Sequence, residues 1–174
     1  ITLASAKEKV LLVDADLRNP GLHKTFLFNE APGLTDILTT DKNYKHIIHS
    51  VDKIENLYLL TSGSEAPNPS ELLMSERMKN LILELQEEYD RVLFDLPPIL
   101  GMADALILSS NVDGTLLIVS ANEVDRDVVL KAKESLEKVR AHILGIVLNK
   151  VRFERHGYGS YYYYPYYSGK KNGK

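Results

Sequence analysis

The sequence predicts an α/β fold: a mostly parallel sheet with helices on both faces. Short apolar runs alternate with segments of helical periodicity along the chain. The runs are apolar and β-branched throughout rather than alternating with polar residues, the mark of strands covered on both sides. Two of them, VLLV and RVLF, end in an aspartate. The carboxyl ends of such strands are where open α/β sheets bind ligands.

Taken in order, residues 1–9 read as the last turns of a helix leading into strand Val10–Val13. Asn19-Pro20-Gly21 is a turn signal, and Gly33–Leu38 a short helix after a turn. Residues 44–50 fit either state; the i, i+3 spacing of His46 and His49 would suit a shared helix face, and a solvated surface is the better reading. Asn56–Leu60 is a strand closed by Thr61-Ser62-Gly63, and Ala66–Ser70 a rigid connector. Ser70 and Ser75 both suit a helix N-cap. Met78, Leu81, Ile82 and Leu85 recur at i, i+3, i+4, i+7, which predicts an amphipathic helix over Ser75–Glu88. Strand Arg91–Phe94, a short helix Asp104–Ser110, strand Gly114–Ser120, helix Asp125–Arg140 and strand Ile143–Leu148 follow. Val128, Val129, Ala132, Leu136 and Val139 form the apolar face of the helix before the last strand. Residues 1–152 thus form one domain, and 153–174 a flexible tail. The tail holds seven tyrosines between Tyr158 and Tyr167 and has no apolar periodicity.

The 174 residues are enough for one domain with a real core, and 44% hydrophobic with 26% charged residues is an ordinary soluble composition. Without cysteine there is no disulfide, zinc-thiolate site or cysteine nucleophile, which suits the cytoplasm. A net charge of -3 gives no reason to expect nucleic acid. No apolar run approaches a membrane span, and no signal peptide is visible. The chain begins at Ile1 without Met, which reads as a processed, truncated or incompletely represented N-terminus. The five histidines show no metal-ligand spacing, and Ser62 and Ser64 around Gly63 make neither a phosphate loop nor a nucleophile elbow.

Asp14, Asp16 and Arg18 stand at alternate positions after the first strand, a spacing that aims all three to one side if the chain stays extended. Two carboxylates and a guanidinium there suit a divalent cation and a phosphate chain. Asp95 ends a second strand, so three carboxylates converge on one spot. One acid alone is best read as a cap. Three, each placed at the end of an apolar strand or just beyond it, point to a nucleotide-metal site. Arg18 either stabilises phosphate charge or pairs with one of the acids. Asn149, after the last strand, either contacts a base or sits in a turn.

VLLVDADLRNP (Val10–Pro20) resembles the Walker A′ motif of bacterial tyrosine kinases, a family of the MinD/ParA-like P-loop superfamily. RVLFDLPP (Arg91–Pro98) resembles their Walker B segment, with Leu96 in place of the usual Thr. PNPSELLMSERM (Pro67–Met78) is similar to the run between the two, Asp104-Ala105 to the Asp-Ala after the Walker B loop, and the tyrosine-rich tail to their autophosphorylation cluster. No G-x-x-x-x-G-K-[ST] is present among the 174 residues, nor the acidic-basic oligomerisation motif. A Walker A loop belongs upstream of Val10, between a first strand and a first helix.

The resemblance implies a Rossmann-like P-loop NTPase fold and an ATP- and Mg²⁺-dependent protein-tyrosine autokinase. Asp14 is then the base for the acceptor hydroxyl, and Asp16 and Asp95 are Mg²⁺ ligands. Arg18 serves the phosphates or an acid, and Asn149 the adenine. The phosphoacceptors are Tyr158, Tyr161, Tyr162, Tyr163, Tyr164, Tyr166 and Tyr167. Expected partners are further copies of the chain in a ring, with each tail reaching a neighbour, a membrane-embedded activator of the polysaccharide co-polymerase type, and a tyrosine phosphatase. The expected place is the cytoplasm, at the inner face of the membrane through a partner or an N-terminal part. The implied role is in exopolysaccharide or capsule synthesis and export. Two other readings stay open: a MinD/ParA-like ATPase without kinase output, and an inactive adaptor lacking Walker A.

Overall fold

The computed structural model describes residues 1–40, 42–52 and 54–151. A short helix α1 (Thr2–Ser5) leads into strand β1 (Val10–Asp14). Then come α2 (Leu22–Phe26), α3 (Leu34–Thr39), a single 3-10 turn (Tyr44–His46), β2 (His49–Ser50) and β3 (Leu57–Leu60). The second half holds α4 (Pro69–Met74), α5 (Glu76–Glu88), β4 (Arg91–Asp95), α6 (Asp104–Ser109), β5 (Thr115–Ser120), α7 (Arg126–Lys138) and β6 (Ile143–Asn149).

The strands form two sheets. In one the order is β2-β3-β1-β4; in the other β5 pairs with β6. β1 is parallel to both β3 and β4, and β5 is parallel to β6. Only the two-residue β2 runs antiparallel, at the edge beside β3. The mostly parallel sheet expected from the apolar runs is therefore present.

One face of the main sheet carries the principal core. Leu11 and Val13 of β1 and Leu60 of β3 pack with Leu73 of α4, with Met78, Leu81, Ile82 and Leu85 of α5, and with Leu108 of α6. The predicted i, i+3, i+4, i+7 stripe of α5 is thus the buried one. Burying one such side chain is worth roughly 1.5–3 kcal/mol, which is why this stripe fixes the helix on the sheet. The Ser75 hydroxyl accepts the Met78 amide at 3.2 Å, as an N-cap should.

The opposite face is thinly covered among the described residues. A small cluster of Ala4, Val10 and Leu57 closes one end of it. Leu93, Leu116, Ile118, Leu144 and Ile146 remain exposed. Among the described residues β4 has no partner beyond β1, and β5 none beyond β6. The seam between them holds a cavity of about 530 Å³ lined by Arg91–Phe94, Asp113, Gly114 and Leu144 among others.

Several local expectations are corrected. The stretch read as a connector starts α4 at Pro69: proline is welcome in a first helical turn, where its missing N–H is not needed. Asn68, not Ser70, holds the N-cap position, and Ser70 lies inside the helix. Leu22–Phe26, left without an element, is helical. His46 and His49 do not share a helix face, since His46 ends the 3-10 turn and His49 belongs to β2. On α7 only Ala132 and Leu136 are buried, and Val128 is exposed. The tail from 153 onward, with all its tyrosines, lies outside the described residues.

Candidate active site

Two adjacent parallel strands end side by side in acids: Asp14 of β1 and Asp95 of β4 are register partners. Neighbouring strands lie about 4.8 Å apart, so the two carboxylates crowd one another. The Asp95 carbonyl accepts the Ala15 amide at 2.9 Å, which carries the pairing one step beyond the strand.

Asp14 is fully buried. Its Oδ2 accepts the amides of Gly21 and Leu22, at 3.1 and 2.9 Å, where α2 begins. Its Oδ1 has no partner among the described residues. Burial pushes this carboxyl above the usual carboxylate value and the Asp16 charge adds to the rise, against the pull of the two amides. Asp95 is exposed, yet its carboxyl is also raised, by partial withdrawal from water and by the charges of Asp14 and Asp16. Acids that disfavour each other's ionisation want a cation between them.

Beyond Asp14 the chain does not stay extended. Asp16 Oδ1 accepts the amides of Arg18 and Asn19, at 3.2 and 2.9 Å, and turns the backbone. Arg18 therefore does not point with the two aspartates. Its Nε and Nη2 donate to both oxygens of Asp104, at 2.6 and 3.2 Å, and Nη2 also donates to Ser70 Oγ at 3.2 Å. The Ser70 hydroxyl donates in turn to Asp104. Asp104 is fully buried, and the Arg18 guanidinium holds its carboxyl below the usual range. Of the two roles left open for Arg18, the structure shows the ion pair, with an acid that spacing had not singled out. Three separate sequence segments meet in this cluster: the loop after β1, α4 and the first residue of α6.

Asn149 ends β6 in the second sheet, exposed, with its Oδ1 accepting the Lys150 amide at 2.8 Å.

The loop after β1 also borders a second feature that sequence reasoning missed. A cleft of about 480 Å³ runs between the loop after β1 and the loop after β3, lined by Leu17, Arg18, Pro20, Glu30, Thr35, Ser62 and Glu65 among others. Its walls are held by a close backbone approach. A Cβ on Gly33 would stand 2.3 Å from the Gly63 nitrogen. Gly63 itself has φ +90°, a conformation glycine adopts freely. Asp36 accepts from the Gly33 amide and from the amide and hydroxyl of Ser64, at 2.8–3.0 Å, so its carboxyl stays below the usual range despite burial.

Asp14, Asp16 and Asp95 offer carboxylate oxygens only, the donor type of Mg²⁺ rather than of zinc. Mg²⁺ is usually held by one or two carboxylates, with water and substrate phosphates completing its shell. Among the described residues no group of three His, Cys, Asp or Glu side chains is placed to hold an ion alone. Among them also, no helix is long and apolar enough to cross a membrane.

The chain is similar to known proteins in both sequence and fold. A family model described as an AAA domain matches residues 1–144. The tyrosine-protein kinase YwqD of Bacillus subtilis (strain 168) is 38% identical over 162 residues, covering 93% of this chain and 68% of that protein. The kinase domain of the Escherichia coli tyrosine kinase ETK superposes with a TM-score of 0.82 at 32% identity, over 91% of this chain and 63% of that one. The crystal structure of the chimerical protein CapA2B2 gives 0.81 at 37% identity, over 85% of this chain and 65% of that one. The expected P-loop NTPase fold is borne out by these matches.

Proposed function

The chain belongs to the bacterial tyrosine-protein kinase family, and on that footing we propose that it is an autokinase unit that phosphorylates its own tyrosine cluster. The observation that carries this reading is Asp14: a buried carboxylate with one oxygen fixed by two amides and the other unpartnered. A phenol with a pKa near ~10 needs an acceptor for its proton as it attacks, and a carboxyl raised by burial is a better acceptor than an ordinary one. The acceptor Oη forms a bond to the γ-phosphorus, the bond from that phosphorus to the β-γ bridging oxygen breaks, ADP departs and the phenolic proton passes to Asp14. Asp16 and Asp95 would hold Mg²⁺, which supplies charge neutralisation at the transferring phosphates. Arg18, locked to Asp104 and Ser70, acts as a clamp on the loop that bears Asp16.

The phosphate-cradling Walker A loop is assigned to a strand-loop-helix unit seated in the seam between β4 and β5. The unpaired strand edges and the bare apolar face of Leu93, Leu116 and Ile118 support that placement. Asn149 remains a candidate for adenine contact from the second sheet. The physiological role follows the kin: capsule or exopolysaccharide synthesis and export, with a membrane-embedded activator of the co-polymerase type, a tyrosine phosphatase to reverse the reaction, and a ring of copies in which each tail reaches a neighbour's site. Each phosphate adds about -1.5 to -2 charge at neutral pH, so a modified tail leaves that ring.

The test uses the complete protein with ATP, Mg²⁺ and its activator. Phosphate is expected on tyrosines between Tyr158 and Tyr167, with the assembly shrinking in solution as it accumulates. Absence of phosphate from that stretch overturns the autokinase reading, and phosphorylated protein of undiminished size overturns the ring.

A further inference from the structure

We propose that the cleft lined by Arg18, Glu30, Thr35, Ser62 and Glu65 is the acceptor-polypeptide subsite, and that it holds the basic end of the tail, Ser168–Lys174. The inference rests on the autokinase reading above and names what that reading leaves open, the place where the acceptor chain is gripped.

The cleft is built to bind a polar ligand. Thr35 and Ser62 line it, are 3% and 2% exposed, and each has a buried hydroxyl with no hydrogen-bond partner among the described residues. A buried hydroxyl left unpaired costs free energy that a ligand's amide or carbonyl groups recover. The cleft is also contiguous with the chemistry, since Leu17, Arg18 and Pro20 belong to the loop that follows Asp14 and Asp16.

Its charge selects the occupant. Glu30 and Glu65 are both exposed at the rim. Glu65 has no ion-pair partner among the described residues, and Glu30 only the half-committed His23, whose Nε2 is 3.5 Å away. The segment from residue 152 to the end is basic, with Arg152, Arg155, Lys170, Lys171 and Lys174 against the single acid Glu154. Lys170 and Lys171 follow the tyrosine cluster after Ser168 and Gly169. With the two lysines at the glutamates, Tyr167 stands three residues back, about 10 Å along an extended chain. The same glutamates repel the product: a phosphotyrosine carrying nearly two negative charges is pushed off, which frees the cleft for the next tyrosine.

The experiment uses the complete kinase and a fluorescent peptide spanning Tyr158–Lys174. Binding is read by anisotropy without ATP, and phosphorylation by steady-state kinetics with it. The E30Q/E65Q double variant, both positions being exposed, is expected to bind the peptide about 5-fold more weakly and to raise its KM, with the KM for ATP unchanged. A peptide with Lys170 and Lys171 replaced by Ala should bind the parent protein with the same deficit. It should lose nothing further on the double variant, the mark of a direct coupling. Unchanged affinity in E30Q/E65Q, or independent and additive losses, overturns the subsite. If the coupling is found but no phosphate is transferred, the cleft stands and the autokinase reading falls; transfer without coupling sinks the cleft alone.

Discussion

Replacing Asp14 by Asn separates what this residue does for chemistry from what it costs the fold. The Asn side-chain oxygen can take the place of Oδ2 and keep the Gly21 and Leu22 amides, bonds worth about 1 kcal/mol each. Its nitrogen falls where Oδ1 already has no partner. The buried charge disappears. Because the Asp14 carboxyl is raised in the folded state, its ionised form opposes folding. That cost is absent below the ordinary carboxylate value of 3.8, grows as pH rises through the raised value, and is complete above it. D14N should therefore melt at or above the parent temperature at neutral pH, with the difference narrowing as pH falls toward 4. Asp14→Ala strips both amides of their acceptor, for about 2–4 kcal/mol, or roughly 5–15 °C in a domain of this size. Phosphorylation of the tail by the complete D14N protein should fall by about 10²–10⁴, the usual contribution of a general base. Thermal melts from pH 4 to 8 and phosphotyrosine rates check both halves. A D14N protein that melts as low as D14A, or shows no pH dependence in the difference, refutes the buried-charge argument. One that phosphorylates at the parent rate refutes the base assignment.

Asp104→Asn should release Arg18 and let the loop bearing Asp16 drift. We expect tail phosphorylation to drop on the order of 10²-fold, as small misplacements of reacting groups do, while circular dichroism stays that of the parent. Asp104 is lowered in the fold, so its contribution is present above 3.8 and lost as pH falls through the depressed value. The stability deficit of D104N must therefore shrink in acid, and a deficit constant from pH 7 to 3 contradicts the ion pair. Gly33→Ala drives a methyl group against the Gly63 nitrogen and the Thr61 carbonyl, at 2.3 and 2.4 Å, neither of which can rotate away. The cost is about 1–3 kcal/mol, a loss of roughly 3–10 °C in melting temperature. A melt within about 1 °C of the parent means that the two loops part without strain.

The fold class was legible because parallel strands advertise themselves as unbroken apolar runs, and Asp14 and Asp95 because each closes such a run. The direction of Arg18 was not legible. Alternation holds only while the strand lasts, and Asp16 folds the chain back by accepting two amides ahead of it. Ser70 looked like a cap because Asn-Pro-Ser reads as a helix entry; only the packing of α4 against α6 puts its hydroxyl on Asp104. The cleft left no local trace at all. Glu30, Thr35, Ser62 and Glu65 have no common spacing, and it is the contact of Gly33 with Gly63 that assembles them. The two-residue β2 is too short for any periodicity to show.

The seam between β4 and β5 has a practical meaning for anyone handling this polypeptide. Two parallel strands with free main-chain edges and a bare apolar face are sticky to any extended chain, including one another on separate molecules. Concentrated alone, these 174 residues should self-associate edge to edge. Charged substitutions on that face, such as Leu116→Lys and Ile118→Lys, should keep the molecules apart, read as the loss of larger species by light scattering.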